Sequence, residues 1–365
     1  MKQKCLHIIN IAFGIATVLF LGGCSSDDST HEPVETPMRE LHFMLGSYNY
    51  QDVTPETSRR ALPEGYVLYS ELTPKIPLDG ASLRCFMTKD TEVKFNGNVS
   101  YKSGTWVSKI PLDEGEYYVY GLMPGSEAGK VKLTPNSSDF KNGATMEIQG
   151  LNPVTSSDVC TIVGVKGSTT AAGFADVDIQ QGVFAYDAQN DGTFIYLLID
   201  HLYAALQLNM NISPEYNALR TIKLTKLTLK SKSVTTVNMT VELTPNTTNT
   251  LPFTTPTLSP TSTDGKAVEI YNGEEQTLEE TSDLMFLACT APISTNTRFE
   301  METTYNVYDR KGNLIRKGCT AKNVLNLPTG GLTRGQKYTF NLTVNPTYLY
   351  VLSDPDLDNP TITVN

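Results

Sequence analysis

The chain has 365 residues, 39% hydrophobic and 19% charged, with a net charge of −10. That length leaves room for two domains of ordinary size once terminal segments are set aside. An acidic body lacks the positive footprint that phosphate binding needs, which argues against nucleic acid as a partner.

Read from its start, the chain opens with Lys2 and Lys4, then an apolar run from Ile8 to Leu21, ending in Leu21-Gly22-Gly23-Cys24. The run is too short to span a bilayer comfortably and has the size of a signal-peptide core. Small residues before a cysteine suit a lipoprotein signal peptidase. Residues 1–23 therefore read as a lipoprotein signal peptide and Cys24 as the lipidated residue; an ordinary signal peptide with a chance cysteine is the other reading. Residues 25–40 are rich in Ser, Thr, Pro and Glu and read as a flexible tether. Leu41-His42-Phe43-Met44-Leu45 alternates as a strand does. A polar loop follows, Gln51 to Ala61, carrying the dibasic pair Arg59-Arg60. Exposed loops of this kind are where proteases cut, so residues 24–60 read as a lipidated segment with a removable strand. A surface loop that merely carries two arginines is the alternative.

From residue 61 onward, period-two patterns dominate. Leu206, Leu208, Met210 and Ile212 alternate with polar or small neighbours, as do Val237, Met239, Val241 and Leu243, and Tyr338, Phe340, Leu342 and Val344. Each run buries one face and wets the other, as a sandwich sheet requires. Ile222 to Leu229 changes phase between Leu224 and Leu227, which predicts a β-bulge. Turn-rich stretches such as Pro135-Asn136-Ser137-Ser138 and Asn190-Asp191-Gly192 separate the runs, and no long 3.6-residue periodicity stands out. The fold class is all-β. The loop at Asn190-Asp191-Gly192 is the expected junction between an N-terminal β-sandwich, 61–190, and a C-terminal one, 191–365. Thr244 to Gly265 reads as a long surface loop, and Asp354 to Pro360 as a hydrated turn between two terminal strands.

Catalytic constellations are not legible. Of the four histidines only His201 lies beyond residue 60, within an apolar stretch, where a buried structural role is expected. No G-x-S-x-G surrounds a serine. Gly125 to Val131 resembles a P-loop but is one residue short and lacks the hydroxyl that holds magnesium. Asp354, Asp356 and Asp358 have calcium-loop spacing without the turn glycine or the bidentate Glu. Glu274-Glu275 and Glu279-Glu280 sit in a hydrophilic stretch with no apolar wall to set them apart, as glycosidase carboxylates require. The chain reads as no enzyme, with no cofactor and no metal. Cys85, Cys160, Cys289 and Cys319 form no C-x-x-C and lie in or beside apolar strands. Buried free thiols are expected, with disulfides the alternative that export permits.

Taken together, Leu21-Gly22-Gly23-Cys24, the Leu41–Leu45 strand with Ser58-Arg59-Arg60-Ala61 after it, Pro111 to Tyr120, Asp200-His201-Leu202-Tyr203-Ala204-Ala205-Leu206 and the stretch Tyr338 to Val351 resemble the fimbrillin family of type V pilus subunits. The resemblance implies two tandem transthyretin-like Greek-key β-sandwiches. It implies an outer-membrane lipoprotein precursor cut after an arginine by a trypsin-like or arginine-specific protease, at Arg59–Arg60 or Arg60–Ala61. It further implies polymerisation with other copies or related subunits into a cell-surface fimbrium, by donor-strand exchange. The expected donor is Tyr348-Leu349-Tyr350-Val351-Leu352. A shaft, tip or anchor role stays open, as does a glycan-binding surface lipoprotein, although Trp106 is the lone tryptophan for such a platform.

Overall fold

The computed structural model describes residues 36–47, 49–52, 67–68, 81–173, 177, 179, 185–232, 234–245, 257–260, 265–281, 284–293, 298–328, 330–348 and 355–364. Apart from Thr36, these belong to one compact unit, Pro37–Asn365. Its first strands are β1 (Met38–Ser47), the short β2 (Gln51–Asp52) and β3 (Val67–Leu68). A meander follows: β4 (Ser82–Lys89), β5 (Glu92–Lys102), β6 (Thr105–Pro111) and β7 (Glu116–Met123). Then come β8 (Val131–Pro135), β9 (Ala144–Leu151), β10 (Val154–Thr155), β11 (Cys160–Ser168), β12 (Ala185–Asp187) and β13 (Phe194–His201). The later chain holds β14 (Ala204–Ile212), the single-turn helix α1 (Pro214–Asn217), β15 (Thr221–Ser231), β16 (Val234–Leu243) and β17 (Thr257–Pro260). It ends with β18 (Val268–Thr277), β19 (Met285–Thr290), β20 (Phe299–Tyr308), β21 (Leu314–Leu325), β22 (Gln336–Tyr348) and β23 (Pro355–Val364). The protein is all-β.

The first sheet runs β11-β13-β1-β6-β5-β4-β7-β12, and β11 also pairs with β7, so the path from β11 to β7 closes on itself. Inside the closure lies one core: Leu41, Phe43 and Leu45 of β1 meet Leu83, Cys85 and Met87 of β4 and Ile195, Leu197 and Ile199 of β13. The other face of β13, Tyr196 and Leu198, belongs to a second core. Burial on both faces explains why Phe194 to Ile199 is a continuous apolar run rather than an alternating one.

That second core is shared by three further sheets, ordered β10-β19-β14-β22 with β2 and β23 both on β22, β18-β15-β20-β21, and β17-β16-β9-β8. The chain leaves the closed sheet at His201 and enters the next at Ala204, while β9 pairs across the sequence with β16. The expected bulge is present: the pairing of β15 with both β18 and β20 skips Thr225, between Leu224 and Lys226.

Four loop expectations change: residues 38–40 of the expected tether belong to β1, Gln51–Asp52 of the expected polar loop is β2, and two later stretches also differ. Part of the Thr244–Gly265 stretch is strand, because Thr257–Pro260 pairs with β16. The expected turn over Asp354–Pro360 is instead mostly strand: Pro355 faces Tyr348 and Asp356 faces Thr347, and the strand runs on to Val364 opposite Leu342. Pro355 and Pro360 fit there because, among the described residues, β23 pairs with β22 alone, and proline is tolerated on an edge strand. Gly125–Lys130, the P-loop look-alike, is a 3-10 turn.

Candidate functional site

The feature with the most chemical consequence is the seat of β1. It is antiparallel to β6, with Phe43 opposite Trp106, and parallel to β13, with Leu45 opposite Leu197. Leu41, Phe43 and Leu45 are at most 4% exposed, whereas Met38 and Glu40 are exposed and His42 and Met44 half-buried. Burial of each apolar side chain contributes about 1.5–3 kcal/mol. On the outer face His42 stacks on Phe194 with centroids 5.3 Å apart. Arg39 donates to the Ala188 carbonyl, and Glu40 lies 3.8 Å from Lys109.

Beyond β1 the chain enters a buried polar pocket. Ser47 Oγ is 3.5 Å from His201 Nε2. The Tyr50 ring stacks on the His201 ring at 3.8 Å, and its hydroxyl donates to Asp158 Oδ1 at 2.5 Å. Asp158 Oδ2 is 2.7 Å from His201 Nδ1, and Cys160 Sγ is 3.5 Å from the same nitrogen. Cys289 Sγ lies 3.7 Å from the Tyr50 hydroxyl. Arg334 reaches Asp200 Oδ2 at 3.0 Å and the His201 carbonyl at 2.9 Å.

Burial, followed by the Asp158 charge, pushes the Tyr50 hydroxyl and the Cys160 and Cys289 thiols well up, so all three stay protonated. Burial also opposes charge on Asp158. The facing His201 and hydrogen bonds from His201, Tyr50 and Cys160 outweigh it and hold the carboxyl below its usual range. Asp158, Cys160 and His201 have the donor types of a metal site, their ligand atoms lying within 4.8 Å of one another. Their hydrogen-bonding capacity is already used: the carboxylate receives donors from three sides.

His201 is the buried structural histidine the sequence suggests, 1% exposed. The four cysteines Cys85, Cys160, Cys289 and Cys319 are buried and keep their thiols, with no disulfide joining them. Of the other expected site residues, Cys24, Arg59, Arg60 and Ala61 lie outside the described residues, as do Leu349, Tyr350, Val351 and Leu352; Tyr348 is the last residue of β22. Sequence reasoning missed Tyr50 and Asp158. Their meeting across 108 positions leaves no local trace.

No family model and no curated protein matches this chain. Solved structures similar to it include a provisionally described cell adhesion protein of Bacteroides fragilis NCTC 9343, with TM-score 0.46 and 13% identity, covering 90% of this chain and 97% of that one. A fimbrial protein of Bacteroides vulgatus ATCC 8482 has TM-score 0.33 and 12% identity, covering 88% and 98%. The fimbrial anchor protein Mfa2 of Porphyromonas gingivalis has TM-score 0.27 and 11% identity, covering 89% and 97%. All three scores fall below 0.5, so the functional reading rests on this chain's own residues.

Proposed function

We propose that this chain is a fimbrillin-type structural subunit of a cell-surface fimbrium that supports adhesion. It is exported as a lipoprotein acylated at Cys24 and cut after Arg59 or Arg60 by an arginine-specific protease. It then polymerises by donor-strand exchange. The single observation behind this reading is the seat of β1, a strand far from its partners in sequence that completes a closed sheet and fills its core with Leu41, Phe43 and Leu45. A cut after Arg60 severs β1 from the remainder of the chain. Its departure bares backbone groups on β6 and β13 and an apolar slot between them, which an extended segment of another copy fills by β-augmentation. Tyr348 to Leu352 is the donor in this proposal, and each joint is head to tail, so growth is open-ended. The tandem division into two sandwiches, 61–190 and 191–365 with the junction at Asn190-Asp191-Gly192, belongs to the same proposal.

The test is N-terminal sequencing of protein sheared from the cell surface, alongside a chain carrying Arg59→Ala and Arg60→Ala. Filament subunits beginning at Arg60 or Ala61, and a double variant that stays membrane-bound and monomeric, are the expected results. Normal filaments from the double variant overturn the reading.

A further inference from the structure

The segment behind β1 is tied down more firmly than a connecting loop needs. Ser47 is buried against His201, and Tyr50 is 5% exposed between His201, Asp158 and Cys289, with Ala205 and Leu287 as its apolar walls. Gln51 and Asp52 then pair with Gln336 and Lys337 of β22, and Lys337 Nζ meets Asp52 Oδ1 at 2.7 Å. Between a strand in the closed sheet and a two-residue strand on the neighbouring sheet, one phenol is therefore buried where the two sheets meet.

We infer that Tyr50 is the latch that keeps β1 in its slot, and that the pocket it occupies selects a phenol over other side chains. The pocket makes three demands at once. It needs a flat ring to lie on His201, at 3.8 Å and 19°. It needs a hydrogen-bond donor for Asp158 Oδ1, because a buried carboxylate oxygen left unpaired is costly. The donor must also be neutral, because the side chain already beside Asp158 is His201, at 2.7 Å. Phenylalanine meets the first demand and fails the second. Lysine or arginine supplies a donor and brings a cation against the imidazole. Tyrosine satisfies all three, and its hydroxyl also closes over Cys289.

The first experiment uses the intact chain. Tyr50→Phe should raise hydrogen exchange at the β1 amides by about 10- to 100-fold, the worth of a hydrogen bond to a charged acceptor. Tyr308→Phe, which removes a hydroxyl bonded to Glu275 on a distant sheet, should leave β1 unchanged. Should Tyr50→Phe misfold, the second experiment decides with the native sequence as receptor. The full chain is clipped at Arg60, its N-terminal fragment is released, and peptides of residues 36–52 with Tyr or Phe at position 50 are added back. The Phe peptide should dissociate about 10- to 100-fold faster. Dissociation rates within twofold of each other, or unchanged β1 exchange in a folded Tyr50→Phe chain, overturn the latch. The polymerisation reading fails separately: tyrosine-dependent retention in chains that never assemble upholds the latch and removes the donor-strand proposal. Assembly with no preference between Tyr and Phe does the reverse.

Discussion

At the scale of single residues, β1 makes the sharpest claims. Phe43 lies opposite Trp106 and is 3% exposed, so truncating it leaves a void that the closed sheet cannot collapse around. Phe43→Ala should cost about 3–5 kcal/mol, read as an earlier midpoint in urea unfolding with an unchanged slope. Glu275 makes a claim about pH. Hydrogen bonds from Tyr308, Asn306 and Lys223 hold its carboxyl down at about 2. A depressed pKa contributes stability that is fully present above the unfolded value of 4.5 and lost as pH falls towards 2. Melting temperature should therefore fall across that window, and the fall should be shallower in Tyr308→Phe. Because the group is largely solvated, the effect is modest.

At the scale of elements, Gly121 shows why β7 tolerates no side chain there. A Cβ would lie 2.5 Å from the Arg84 carbonyl oxygen of β4 and 2.7 Å from Ile162 Cδ1 of β11. Gly121→Ala should push the strands apart and cost about 1–3 kcal/mol, as overpacking does, measured by chemical denaturation. Such strands are also where the sequence is most readable. The alternation in β14, β16 and β22 and the bulge in β15 follow from a side-chain period of two, which any single strand displays by itself. The strand at Leu41–Leu45 was legible for the same reason, as was the burial of His201 within an apolar run. Its partners were not. The parallel pairing of β1 with β13 joins residues about 150 apart, and nothing in either strand names the other. Asp158 carries no local sign of burial, because that burial is created by Tyr50 and His201, which arrive from elsewhere. Pro355 and Pro360 argued for a turn, and the edge position that admits them is a property of the assembled sheet.

At the scale of the whole molecule, the segment up to Asp52 touches both the closed sheet and its neighbour, so removing it should be felt at each. The buried thiols offer a direct readout. Burial, partly offset by the charge of Arg84, pushes Cys85 up to about 12, and it sits inside the closure, whereas Cys289 is capped by the Tyr50 hydroxyl. In the intact chain all four should resist a thiol reagent at pH 8, because a buried thiol is neither ionised nor reachable. After clipping at Arg60 and release of the N-terminal fragment, Cys289 should react first and Cys319, on the remote β21, should stay protected. The C-terminus supplies the complementary test. Ending the chain after Tyr348 removes β23 but leaves β22 paired with β14, and among the described residues Ile362 is the buried apolar side chain lost. That chain should fold, be cut and expose Cys289, yet remain monomeric by light scattering, because it has a vacant slot and no donor to offer. Adding the full-length clipped chain should then give short assemblies that stop growing, since a truncated copy accepts a strand and passes none on. Filaments of ordinary length from the truncated chain alone would place the donor outside residues 349–365 and overturn the proposed role of Leu349 to Leu352.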